Sequence, residues 1–261
     1  MEFCKAMNSH GELSTKRRKR VLLGISGSVA AIKGPELAIQ LTKELDAHVV
    51  ILLTRGGENF WCKAQEYNPK IWEECNSMMR EEDNTLIMRE TKEDATGSST
   101  QTPSLPEPPI NDESRRMMLF TAQDEWKGWQ RMSDPVLHIQ LRDWADIAVI
   151  APLTAHTLAK ISKGLCDDTL TCIIRAWDYG HTSKDGKHLV LAPAMNTGMW
   201  DHPLTRIQLN AIKGFCNNKR GECLVKIVEP QIKTLACGEV GNGAMASVVD
   251  IVEVSRQSLQ K

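Results

Sequence analysis

The sequence predicts an α/β protein built on a doubly wound parallel sheet, and three observations carry that prediction. Short runs of Val, Leu, Ile and Ala recur without polar interruption, as strands buried on both faces require. Two of these runs, Val21-Leu22-Leu23-Gly24-Ile25 and His48-Val49-Val50-Ile51-Leu52-Leu53, stop at Ser26-Gly27-Ser28 and Thr54-Arg55-Gly56, turn sequences of small and polar residues. Between them lies a helical repeat that sets Ala30, Leu37, Ala38, Leu41 and Leu45 on one face, so the opening reads β-α-β.

Residues 1–19 read as a disordered leader before the first strand. Gly34-Pro35 kinks or restarts the helix that follows, because proline lacks the amide donor and clashes with the preceding turn. From about residue 62 to 123 the composition shifts to Glu, Ser, Thr, Pro and Met, with Thr96-Gly97-Ser98-Ser99-Thr100 leading into Pro103, Pro106, Pro108 and Pro109. Such a segment buries too little apolar surface to offset its ordering entropy, so an insertion is expected here, largely disordered and above all over residues 92–114.

Regular structure is expected again near Trp126. Ala145-Asp146-Ile147-Ala148-Val149-Ile150-Ala151 reads as a buried strand, Thr154 starts a helix to Ile161, and Asp168 opens another through Ile174. Leu189-Val190-Leu191-Ala192 is a strand that runs into Pro193, and residues 203–212 form a helix with proline in its first turn. Residues 224–228 are expected to be the last strand, and residues 247–258 a C-terminal helix with Val248, Ile251 and Val252 facing inward. The whole describes one domain over residues 20–261, a three-layer sandwich of the Rossmann-like or flavodoxin-like kind.

Charges nearly cancel at a formal net of −1, so no global field recruits nucleic acid or a membrane. No apolar run approaches the ~18 residues of a membrane span. The eight cysteines show no CxxC and no metal-type spacing with histidine, and are expected to be reduced thiols of a cytoplasmic protein, mostly packed as small apolar groups. The basic run Lys16-Arg17-Arg18-Lys19-Arg20 fits a solvated leader better than a nuclear address.

Three segments carry candidate chemistry. The loop Gly24-Ile25-Ser26-Gly27-Ser28, between a strand and a helix start, suits one phosphate group. It is neither GxGxxG nor the Gly-Lys-Ser of a nucleoside-triphosphate loop. The second strand ends at Thr54 where a dinucleotide site usually places an acidic residue, so flavin mononucleotide fits better than NAD. The stretch from Leu235 to Ala246 sets one thiol, Cys237, among small residues and before Gly238, Gly241 and Gly243, a pattern that suits a clamp closing on a ligand. Taken singly, this stretch could be a plain loop, Pro193-Ala194-Met195-Asn196 a turn after a strand, and His138 in Asp134-Pro135-Val136-Leu137-His138-Ile139 a packed or surface histidine.

Together the segments resemble the flavin-containing cysteine decarboxylase family. The resemblance is carried by Ser26-Gly27-Ser28-Val29-Ala30-Ala31-Ile32-Lys33, residues 134–141 with Trp144-Ala145-Asp146, residues 151–158, residues 170–178, Pro193-Ala194-Met195-Asn196 with Met199-Trp200, and the Cys237 clamp. It covers about residues 20–60 and 124–255.

The resemblance implies that Gly27, Ser28 and Val29 hold the phosphate of FMN, and that Thr54, Arg55, Gly56, Thr154, Ala155, His156, Thr157 and Ala194 line the cofactor site. It implies His138 as the base, Asn196 as the residue that binds the substrate carboxylate, and Cys237 as the proton donor on a closing flap. Thr234, Leu235, Ala236 and Met245 are implied as substrate contacts. Members are typically trimers with the flavin at a subunit interface and the histidine supplied by the neighbour. Two positions depart from the family: asparagine is usual where His156 stands, and arginine or lysine where Thr234 stands.

The implied chemistry is coherent with these residue types. Loss of CO2 from a cysteine carboxylate leaves a carbanion without stabilisation, so the thiol-bearing carbon is first oxidised to a thioaldehyde whose C=S receives the electrons. The resulting enethiolate is then protonated and reduced. A histidine near pKa ~6.5 can accept a proton at neutral pH, and a cysteine with reference pKa ~8.5 is mostly a thiol that can donate one. The coenzyme A branch, which acts on 4′-phosphopantothenoylcysteine, is the expected one. The alternatives are a regulatory chain of the same fold, either a protein phosphatase inhibitor or a partner in a mixed trimer, and a peptidyl-cysteine decarboxylase. Regulatory chains typically lack one catalytic residue, whereas His138, Asn196 and Cys237 are all present.

Overall fold

The computed structural model describes residues 17–80, 116–127, 129, 131–132, 134–181, 183, 185–216, 221–234 and 240–260. The chain enters the sheet at β1 (Lys19–Ile25), ahead of the purely apolar run. The described part of the basic run, Arg17 to Arg20, is not simply solvated. Arg17 forks onto Asp146 at 2.7 and 3.2 Å, Arg18 pairs with Asp46, and Arg20 lies over the Trp144 ring. A 3-10 turn (Val29–Lys33) gives way to α1 (Gly34–Glu44), with Pro35 in the first turn, where its missing amide donor is harmless. Next come β2 (Ala47–Leu53) and α2 (Arg55–Trp61).

The expected insertion over 62–123 needs correction at both ends. Its first part forms α3 (Ala64–Tyr67) and α4 (Pro69–Arg80), and its last part forms the edge strand β3 (Met117–Phe120). In α4 the residues Ile71, Trp72, Cys75, Met78 and Met79 recur at helical spacing and pack on the core beside α1, with Trp72 edge-on to Trp61. Residues 81–115, which include the stretch expected to be most disordered, lie outside the described residues.

The second half runs α5 (Asp124–Lys127), α6 (Leu137–Trp144), β4 (Ile147–Leu153), α7 (Ala155–Lys163), α8 (Thr169–Arg175), β5 (His188–Pro193), α9 (Thr197–Trp200), α10 (Pro203–Lys213) and β6 (Val225–Ile227). The strand at 224–228 is not the last one. An antiparallel hairpin follows, β7 (Gln231–Thr234) with β8 (Val240–Ala244), and the chain then enters α11 (Val248–Leu259), capped by Ser247.

All six strands of the main sheet are parallel, in the order β3-β2-β1-β4-β5-β6. Alternation along each strand divides the core into two layers. Val21, Leu23, Ile25, Val49, Ile51 and Ile147 face one layer with α1, α4 and α11; Leu22, Val50, Leu52, Ile150 and Leu191 face the other with α6, α7, α8 and α10. Each such aliphatic side chain contributes roughly 1.5–3 kcal/mol through burial.

The expectation for the cysteines also changes. Among the described ones only Cys75 is buried, while Cys62, Cys166 and Cys223 are exposed because they sit at helix ends and in loops. Among the described residues no helix is long and apolar enough to cross a membrane.

Candidate functional site

The strand order reverses between β1 and β4, and a cavity of about 810 Å³ opens there, at the C-terminal ends of β1, β2, β4 and β5. Ligands of doubly wound sheets bind at this crevice, because the strands on either side send their connections in opposite directions. Each of the four strands is followed, within three residues, by a residue that caps the next helical turn. Ser28 accepts from the Ala30 amide at 3.3 Å, Thr54 from Gly57 at 3.2 Å, Thr154 from Thr157 at 3.2 Å, and Asn196 from Gly198 at 2.8 Å. Short polar side chains are chosen at such positions because they satisfy amides that the helix leaves without partners. The arrangement aims several helix N-termini at one cavity, which favours an anionic ligand.

Buried Ser26 ties the ends of the two central strands together next to the cavity-lining Gly27. Its hydroxyl donates to the Pro152 carbonyl at 2.7 Å and accepts from the Thr154 amide at 2.9 Å. Gly27 and Gly56 bring the first two loops into backbone contact. A Cβ on Gly27 would lie 2.8 Å from the Gly56 Cα, and one on Gly56 would lie 3.0 Å from the Gly27 Cα. Bare backbone therefore forms this part of the wall, where a ligand can approach closely.

One side of the cavity is lined by Gly27, Ser28, Thr54, Arg55 and Gly56, and the opposite side by Thr154, Ala155, His156, Thr157 and Lys160. Asp167, Asp168, Ala194, Met195, Asn196, Met199 and Ala122 complete it. Lys160 bonds Asp167 at 2.7 Å and Asp168 at 3.2 Å. Desolvation alone would lower the Lys160 pKa, but the two aspartate bonds outweigh it and hold the ammonium above its usual range. The Lys160 bond likewise holds Asp167 below the ordinary carboxylate range. Arg55, exposed on the wall, offers a fixed positive charge to a phosphate.

Every residue expected at the cofactor lies on this wall except Val29, which stands exposed on the 3-10 turn beside it. Asn196 lies on the wall as well. His138 does not. It sits on α6 with Nδ1 2.5 Å from the Glu125 carboxylate, away from the lining of its own chain's cavity. Met245 is buried in the core cluster with Ala192 and Ala194. Thr234 ends β7, while Leu235, Ala236 and Cys237 lie outside the described residues. The hairpin that carries them is fastened to the cavity rim. The Met195 amide donates to the Gly243 carbonyl at 3.0 Å, and the Asn242 amide donates to Asp201 at 3.1 Å.

Several wall residues were not singled out as ligand contacts. Lys160 and the Asp167-Asp168 pair are separated by a helix end and a turn, and Asp168 signals only a helix cap in the sequence. Met195 and Met199 flank Asn196 and read as ordinary apolar residues.

A glycine cradle, four capped helix starts and a guanidinium fit a flavin mononucleotide, which brings one phosphate, a flexible polyol and a planar ring system. Comparison with known proteins gives the same direction. The flavoprotein family profile matches residues 9–260. Phosphopantothenoylcysteine decarboxylase of Arabidopsis thaliana is 39% identical over 233 residues, covering 89% of this chain and 81% of the relative. The Mus musculus phosphopantothenoylcysteine decarboxylase is 36% identical over 239 residues, covering 92% of this chain and 86% of the relative. Among solved structures, a Cys-to-Ser mutant of PPC decarboxylase complexed with pantothenoylaminoethenethiol superposes with a TM-score of 0.66 at 36% identity, covering 94% of this chain and 100% of the other. The FMN binding protein AtHal3 does so with a TM-score of 0.61 at 38% identity, covering 92% and 96%. Profile, relatives and cavity agree: the chain belongs to the flavoprotein family and, within it, to the phosphopantothenoylcysteine decarboxylases.

Proposed function

We propose that this chain decarboxylates 4′-phosphopantothenoylcysteine to 4′-phosphopantetheine in coenzyme A biosynthesis, with FMN as its resident cofactor. The observation that carries this function is the cavity at the sheet's switch point, where Gly27, Ser28, Arg55, Gly56, Thr154 and Asn196 converge. When bound, FMN would supply reversible two-electron chemistry at the thiol-bearing carbon, with no net redox change over the whole reaction.

The chain's own residues do the rest. Gly27, Ser28 and the amides around them would hold the phosphate, and Thr154 to Thr157, on the same cavity wall, would help to hold the rest of the cofactor. Asn196, anchored through its Oδ1, presents an amide of the kind that binds a carboxylate without protonating it. His138 takes the substrate thiol proton as the C=S bond forms. Once CO2 has left, Cys237, which lies between β7 and β8 in the chain, protonates the enethiolate carbon. The strands on either side of Cys237 in the chain are held at the cavity rim, where the Met195 amide donates to the Gly243 carbonyl.

His138 serves the cavity of a neighbouring subunit in a homotrimer. Its absence from its own cavity wall supports this, as does the exposure of Val29, Val136 and Met199 around the site. The test pairs two variants. Cys237→Ser should bind flavin and release CO2 but accumulate the enethiol, read by mass spectrometry; full conversion to phosphopantetheine would remove Cys237 from the mechanism. His138→Asn should keep the flavin spectrum and lose turnover. Retained turnover would move the base elsewhere.

A further inference from the structure

Glu125 has no part in the chemistry above, yet its placement is costly. It lies on the single turn of α5 and is only 7% exposed. A carboxylate taken out of water is strongly unfavourable unless it is paired. Its Oε1 sits 2.5 Å from His138 Nδ1, while Oε2, equally buried, has no hydrogen-bond partner among the described residues. The imidazole itself keeps a quarter of its side chain exposed, at 25%. One ring nitrogen is thus committed to a buried carboxyl, and the ring retains an open side. The imidazole and the carboxyl are thus in direct hydrogen-bond contact, the kind of pairing that charge strengthens. The Cys172 thiol, on α8 against α6, does not compete for the proton. Burial first, then Cys166 and the Glu125 charge, push Cys172 up to about 11, so it stays neutral.

We propose that Glu125 is a positioning residue for His138: it accepts the Nδ1–H bond, fixes the ring in that tautomer and leaves the Nε2 lone pair as the base. When the substrate S–H bond breaks, the proton forms a new N–H bond at Nε2, and the imidazolium so produced is held by the Glu125 carboxylate. This proposal rests on His138 being the base, as assigned above.

The experiment uses the full-length protein loaded with FMN and labelled with 15N-histidine, the His138 signals being assigned by their loss in His138→Asn. The wild type should show the Nδ1–H tautomer. Glu125→Ala should shift His138 toward the Nε2–H form, lower kcat by about 100-fold, and leave KM and flavin content within about threefold. Glu125→Gln, isosteric and safe for folding, should keep the tautomer through its carbonyl yet lower kcat by about tenfold, because it lacks the charge that supports imidazolium. An Nε2–H tautomer in the wild type, or wild-type kcat in Glu125→Gln, overturns the proposal. The tautomer readout needs no turnover, so it can fail while His138→Asn remains dead. Activity in His138→Asn would instead overturn the parent assignment.

Discussion

Replacing Gly27 by alanine tests how the cavity floor is built. The new Cβ would stand 2.8 Å from Gly56 Cα, 3.0 Å from its carbonyl carbon and 3.2 Å from its oxygen. All three are backbone atoms, so no flexible side chain can yield. Gly27 does not occupy the left-handed region, so alanine suits its local conformation and the contact alone is at issue. The two loops must part by about 0.7 Å to reach the ~3.5 Å of a relaxed carbon–carbon contact. Overpacking of this kind costs about 1–3 kcal/mol. If that strain falls on the cofactor-bound form, FMN affinity weakens by about 5- to 150-fold. If it falls on the fold, the melting temperature drops by roughly 2–10 °C. Gly56→Ala meets Gly27 at 3.0 and 3.4 Å and should show the same effects more weakly. Fluorescence titration of the flavin-free protein with FMN, together with thermal melts, reads both quantities. A Gly27→Ala protein with affinity within twofold and an unchanged melting temperature would refute the cradle.

Gly243→Ala would put a Cβ 2.0 Å from the Met195 carbonyl oxygen and lift the hairpin from its seat. Flavin binding should persist while turnover falls by about 100-fold, and steady-state kinetics on the yellow variant decides this. Asp168→Ala removes the cap on the Thr171 amide at 2.8 Å and one partner of Lys160, so a loss of about 1 kcal/mol or more should appear in urea unfolding. Burial, with Glu74 adding to it, pushes the Cys75 thiol up to about 12 from 9.0. The folded state therefore favours the neutral thiol. Its contribution is complete below the unfolded value and drains away as pH rises toward 12, by at most about 1.4 kcal/mol per pH unit. Between pH 8 and 10.5 the wild type should lose stability more steeply than Cys75→Ala, and parallel slopes would count against this.

The sheet was legible because each central strand is apolar on both faces and stops at a turn, so Val21 to Ile25 and Ala145 to Ala151 could be read without neighbours, although the second strand in fact runs two residues later, Ile147–Leu153. The restart at Gly34-Pro35 was legible for a purely local reason, the missing amide donor. What escaped needed a partner surface. The apolar side of α4 is thin and interleaved with Glu73, Glu74 and Asn76, and it makes sense only once α1 offers a face for Cys75 and Trp72. The hairpin around the clamp looked like loop because Gly241 and Gly243 are poor strand formers; Gly243 is required because the Met195 carbonyl leaves no room for a side chain.

At the site, the family resemblance pointed to Thr54, Thr154 and their neighbours, and these residues line the cavity at the strand ends. Contacts across the chain could not be read in this way. Glu125 precedes His138 by thirteen positions, and no periodicity links a carboxyl there to an imidazole. Lys160 is drawn onto the wall by Asp167 and Asp168, a relation visible only once α7 and α8 meet.

The most direct test mixes 4′-phosphopantothenoylcysteine with the purified chain and follows CO2 release beside the flavin absorbance. A yellow protein that forms one CO2 per 4′-phosphopantetheine is the predicted result. A colourless preparation that stays inert when FMN is supplied would contradict it.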